Sequence, residues 1–242
     1  MAGMGFPSGS DARRIGRPPG KGKPGLAQVE LCYTITFMPF LCEAFAPPAT
    51  PAPQTPPRAV ISTVETVLLT ALHQDVGLAL WLRDMPGGWA REVAPLAAAG
   101  PFRALGEGTP DAALDTAVAS LPGPAPLNLL ADALRLSHMF AALTRSEHIR
   151  LRFDGVTGDA CRKFHVDAVG FRLLVTYAGP GTQWTMADQD AVPHDVPLGA
   201  VALFRGRARP GGHVLHRSPP LSHLPEARRR RLVLCIDEAG CC

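Results

Sequence analysis

From residue 146 onward the chain is a succession of short strand-like segments separated by turns, and this pattern constrains the fold more than any other feature. His148–Phe153 alternates apolar and polar residues, Thr157-Gly158-Asp159 turns the chain, and Cys161–Asp167 reads as a second strand. Phe171–Ala178 is a third, closed by Gly179-Pro180-Gly181, and Gly199–Arg205 is a fourth. Gly211-Gly212 leads into His213–Arg217, which Pro219-Pro220 stops, and Arg231–Asp237 is the last. Several short strands at near-regular spacing, with no internal repeat, predict a sandwich or barrel.

The residues before this region read differently. Val76–Leu82 is an apolar run of strand character. Trp89–Ala99, Asp111–Ser120 and Leu127–Leu143 carry helical spacing, as in Leu127, Leu130, Ala131, Leu134 and His138. With 46% hydrophobic and 19% charged residues in 242, the chain can bury a core. The expectation is therefore an α+β fold, with N-terminal helices followed by a jelly-roll-like (double-stranded β-helix) β-domain. Its parts are a leader at 1–60, a mainly helical segment at 61–145, the β-domain at 146–238 and a tail at 239–242.

The leader holds 11 of the 25 prolines, which excludes long helices and central strands there. Its basic residues, the apolar run Leu31–Cys42 and Ala44-Phe45-Ala46 mimic an export signal. Pro39 interrupts that run, and it is shorter than the roughly 20 residues of a membrane span. A disordered leader is the simpler expectation, and a start at Met38 an alternative to it.

Charge narrows the partners. The first 60 residues carry six basic and three acidic side chains, and the rest of the chain is balanced. The folded part has no basic field for nucleic acid or anionic lipid, and a mean hydropathy of +0.08 is not that of a membrane protein. Six cysteines without a CxxC pair read as reduced thiols and place the chain in the cytoplasm. No Gly-rich phosphate loop and no GxSxG is present.

The chemistry concentrates in the strand region, where five of the eight histidines lie between 165 and 223. In His165-Val166-Asp167 a strand would turn the imidazole and the carboxylate to the same side. His216 follows 51 residues later on another strand, with His213 as its local competitor. Two histidines and a carboxylate form the facial triad of non-haem Fe(II) oxygenases. Such double-stranded β-helix enzymes add a basic residue on the final strand for the far carboxylate of 2-oxoglutarate. Arg228 and Arg231 are 12 and 15 residues beyond His216, and a guanidinium fork suits a carboxylate. Cys161, added to His165, Asp167 and His216, would instead suit tetrahedral zinc. Without a metal, His165 and Asp167 would be an ordinary buried pair. Trp184 would line a pocket mouth or cover the end of the barrel.

The stretch Val156–Asp167, the run Thr176–Trp184, Gly199–Gly206, and Leu215–Pro220 with the closing LVLCID resemble a bacterial family of unknown function, numbered 1826. The resemblance covers about residues 75–238 and is densest after residue 150. It implies a role near metal homeostasis, with a metal-chaperone GTPase as a partner. Three readings stand together: an Fe(II)/2-oxoglutarate oxygenase acting on an unknown small molecule or protein, a non-enzymatic zinc-binding protein, and a metal-free β-domain.

Overall fold

A computed structural model describes residues 57–186 and 192–240. The expected leader therefore lies outside the described residues up to position 56, as does the end of the expected tail. The chain is a mixed α and β protein dominated by one large sheet. Its strands are β1 (Arg58–Ser62), β2 (Val76–Trp81), β3 (Phe102–Gly108), β4 (Ile149–Val156), β5 (Phe171–Ala178), β8 (Val201–Arg205) and β10 (Arg231–Glu238). They lie in the order β1-β2-β8-β5-β10-β4-β3. A smaller sheet has the order β7-β6-β9, from β6 (Gln183–Thr185), β7 (His194–Asp195) and β9 (Leu215–Arg217). The helices are α1 (Trp89–Ala98), α2 (Pro110–Ala119) and α3 (Leu127–Thr144).

The period of two in the central strands builds three layers. Phe171, Leu173, Val175 and Tyr177 of β5, with Leu232, Leu234 and Ile236 of β10, join one core cluster. The helices supply the other side of that cluster, with Val93 and Leu96 of α1, Leu114 of α2, and Leu129, Leu136 and Phe140 of α3. The intervening residues Leu174, Val233, Cys235, Ala202 and Phe204 form a second cluster with Trp184 of the small sheet. The large sheet is thus covered by helices on one face and by the small sheet on the other. Strands buried on both faces read as continuous apolar runs, as VGLALW does.

Local chemistry sets the elements. Thr109 caps α2 by accepting from the Ala112 N–H at 3.5 Å, and Pro110 takes the first helical position. The left-handed Arg145, φ 56°, ends α3. Gly106 of β3 lets α2 approach closely, because a Cβ there would meet the Ala113 carbonyl oxygen at 1.9 Å.

The structure corrects two expectations. The segment 61–145 holds the helices but does not merely pack on a separate β-domain, since β2, β3 and the end of β1 within it are strands of the large sheet. β1 begins at Arg58, inside the expected leader, and β3 hides in a glycine-bearing FRALGEG. Cys161–Asp167 is not a regular strand either. Only His165 pairs, through an isolated antiparallel bridge to His216, and Cys161 has a φ of 59°, which breaks an extended run.

Candidate metal centre

The bridge between His165 and His216 is reciprocal. Each backbone N–H donates to the other residue's carbonyl at 3.0 Å. It fastens the irregular segment to β9 and sets the two imidazoles with centroids 4.8 Å apart. The His165 Nδ1–H donates to the Lys163 carbonyl at 2.8 Å, since a carbonyl can only accept. That bond fixes the tautomer and leaves Nε2 as the lone-pair nitrogen. This Nε2 is 3.6 Å from Asp167 Oδ1, and His216 Nε2 is 2.9 Å from Asp167 Oδ2. The candidate ligand atoms of His165, Asp167 and His216 lie within 4.8 Å of one another. His216 is buried against Phe204, ring centroids 4.3 Å apart.

Charge reinforces the geometry. Burial opposes ionisation of Asp167, but the His165 and His216 imidazoles and the Arg172 guanidinium outweigh it and hold the carboxyl well below the usual range. Asp167 in turn raises the affinity of His165 for a proton, against its partial burial. A buried carboxylate that raises the proton affinity of the imidazole beside it is equally disposed to a cation. His216 Nδ1 is buried without a hydrogen-bond partner among the described residues, and Asp167 Oδ2 is buried with His216 Nε2 as its near neighbour at 2.9 Å. A buried carboxylate oxygen facing one imidazole nitrogen, with a second imidazole beside it, fits a metal.

His165 and His216 line a cavity of about 590 Å³, whose wall also includes Arg231, Ser218 and Thr182. Arg231 is 3% exposed, and no carboxylate pairs with it among the described residues. Its Nε donates to the Pro180 carbonyl at 2.6 Å, and it also bonds the Ser218 hydroxyl. Nη2 is 3.4 Å from both Thr176 Oγ1 and Thr182 Oγ1. The turn at Gly179, φ 79°, brings this edge in, since a Cβ there would meet the Arg230 carbonyl oxygen at 2.0 Å. Burial pushes the guanidinium down to about 10, so it stays charged at neutral pH.

The other sequence candidates fall elsewhere. Arg228 is exposed on the short 3-10 turn Glu226–Arg228 and does not line the cavity. Cys161 is exposed in the cavity wall but is not one of the three clustered ligands. Trp184 is buried and stacks on His194 at 4.5 Å rather than lining the cavity. His213 lies just before β9 and outside the cluster.

Sequence reasoning missed a chain of charges on the cavity side of the large sheet. Arg172 reaches Asp167 and forks onto Asp237 with two contacts of 2.6 Å. Arg152 joins Asp237 at 3.2 Å to Asp154 at 2.9 Å, and Arg103 reaches Asp154 at 2.7 Å. Three arginines and three aspartates cross β5, β10, β4 and β3 and neutralise one another. The signal was present as charges placed every second residue in strands with apolar neighbours, as in RLRFD.

No curated protein matches the chain. Several solved structures are similar at low identity. A dioxygenase for auxin oxidation from rice is 13% identical with a TM-score of 0.45, covering 75% of this chain and 82% of its own. A prolyl-4-hydroxylase from Pseudomonas putida is 18% identical with a TM-score of 0.40, covering 71% and 96%. An oxidoreductase of the 2OG-Fe(II) oxygenase family from Burkholderia pseudomallei is 16% identical with a TM-score of 0.41, covering 76% and 94%. Among the described residues no helix is long and apolar enough to cross a membrane. The model of the family described as "Protein of unknown function (DUF1826)" matches residues 62–237, and the chain belongs to that family.

Proposed function

We propose that the chain is a non-haem Fe(II)/2-oxoglutarate-dependent oxygenase-like enzyme built on a double-stranded β-helix. The observation that carries this reading is a buried, carboxylate-free guanidinium in the cavity that is also lined by both histidines of a two-histidine, one-carboxylate cluster. Either feature alone is common. Together they offer a cation site and, across one cavity, a site for the far carboxylate of a chelating oxoacid. The strand path supports the fold. After β4 the chain alternates between the sheets: His165 on the small sheet's side, β5, then β6 and β7, then β8, β9 and β10.

The residues divide the work. His165 and His216 would hold the metal through Nε2, and Asp167 through Oδ2. Arg231 would bind the distal carboxylate, with Ser218, Thr176 and Thr182 as neutral donors beside it. When bound, Fe(II) and 2-oxoglutarate supply activation of O₂ coupled to loss of CO₂ from the oxoacid, which hydroxylates a C–H bond. The layers of apolar side chains around Leu174 and Val233 keep bulk water from one wall of the cavity. A cavity of about 590 Å³ accommodates an oxoacid with a second small molecule or a protruding side chain. The zinc-homeostasis reading needs Cys161 as a fourth ligand, and Cys161 is not within the cluster.

Metal analysis tests this. Purified protein is expected to take up one equivalent of Fe(II) under anaerobic conditions. His165 is the most exposed ligand, 37% at its side chain, and His165→Ala should weaken uptake at least about tenfold. Absence of Fe(II) uptake by the wild type would contradict the proposal. Tight zinc binding that Cys161→Ala abolishes would favour the homeostasis reading instead.

A further inference from the structure

We infer that Arg172 is a positioning residue for the metal centre: by taking Oδ1 of Asp167 it restricts that carboxylate to one coordinating oxygen. The inference rests on the metal reading above. Asp167 lies outside any named strand, so its segment alone does not fix the carboxylate plane. Arg172 does so from β5, a central strand with neighbours on both sides. Its Nη1 bonds Asp167 Oδ1, while Nε and Nη2 fork onto Asp237 of β10 at 2.6 Å each. The fork fixes the guanidinium plane, and Arg152 also donates to Asp237 Oδ2 at 3.2 Å. Asp167 Oδ2 is left buried, free of the guanidinium and facing His216 Nε2 at 2.9 Å.

The consequence concerns open coordination positions. A carboxylate free to rotate can chelate with both oxygens and occupy a position that the co-substrates need. With Oδ1 tied to a guanidinium, chelation would cost a charge-assisted hydrogen bond. Lysine cannot replace this arrangement, because one ammonium is a point charge and cannot fork onto Asp237 while holding Asp167. The three-arginine, three-aspartate chain thus extends a rigid, neutral frame from β3 to the ligand.

The test is Co(II) binding to the full chain, read by visible absorption, for wild type, Arg172→Lys and Asp237→Asn. Arg172→Lys is expected to weaken Co(II) binding by about 10- to 100-fold and to change the intensity of the visible bands. Asp237→Asn keeps the bond from Arg172 to Asp167 but loosens the fork, and should shift both readouts less in the same direction. It also serves if Arg172→Lys does not fold. A merely structural role would lower the melting temperature of the metal-free variants and leave Co(II) affinity and spectrum as in wild type. That result overturns the positioning role alone. Failure of the wild type to bind Co(II) overturns the metal reading as well.

Discussion

Replacing Arg231 with methionine is expected to weaken 2-oxoglutarate binding to the Fe(II)-loaded protein by at least about 30-fold, with Fe(II) affinity nearly unchanged. Arg231 is 3% exposed and meets only neutral acceptors, so a carboxylate arriving there meets an unneutralised, desolvated cation. Removing one member of a buried charge pair costs about 2–5 kcal/mol, and each 1.4 kcal/mol is about tenfold in affinity. Arg231 touches none of the three ligand residues, so the metal should stay. Arg231→Lys should fall between the two, since it keeps the charge but loses the fork. Calorimetric titration under anaerobic conditions measures both affinities. Equal loss of metal and oxoacid binding would show that the substitution had disturbed the whole cavity.

The second large effect lies on the other face of the sheet. Asp132→Ala is expected to destabilise the fold by about 3–5 kcal/mol, the usual cost of stranding one partner of a buried pair. Asp132 of α3 is 8% exposed and accepts two bonds of 2.6 Å from Arg83. It also accepts the hydroxyl of the fully buried Tyr177 at 2.6 Å. Burial opposes charging of Arg83, and Asp132 more than compensates by holding its guanidinium protonated. Without Asp132 the cation and the phenol both lose their partner inside the helical layer. Urea unfolding of the variant measures the loss, and a change under about 1 kcal/mol would mean that water or a neighbour replaces the carboxylate.

β5, β8 and β10 were readable in the sequence because buried strands of a central sheet carry unbroken apolar runs between Gly and Pro turns. The helices were readable from apolar spacing, and α3 buries Leu129, Ala133, Leu136 and Phe140 as that spacing requires. β6 and β7 were not, because strands of three and two residues leave no period to detect. β3 was hidden by Gly106, whose reason is the approach of α2, a contact distant from any local pattern.

The candidate site divides in the same way. His165, Asp167 and His216 could be named because their chemistry is distinctive, and the structure brings them together. Their convergence does not come from the strand parity expected of Cys161–Asp167. It comes from one bridge between His165 and His216 and from Arg172, which holds Asp167. Arg172, Asp237 and Arg152 were invisible as a unit, because each looks like a solvated charge until the sheet order sets the strands side by side. The choice of Arg231 over Arg228 likewise depends on position: one opens β10 and points into the cavity layer, and the other sits on an exposed turn.

The most direct test is a 2-oxoglutarate titration of the full-length protein under anaerobic conditions, with and without one equivalent of Fe(II). Binding that requires Fe(II), and that is lost in His216→Ala, is the predicted result. An Fe(II)-loaded protein that shows no 2-oxoglutarate binding would contradict the account.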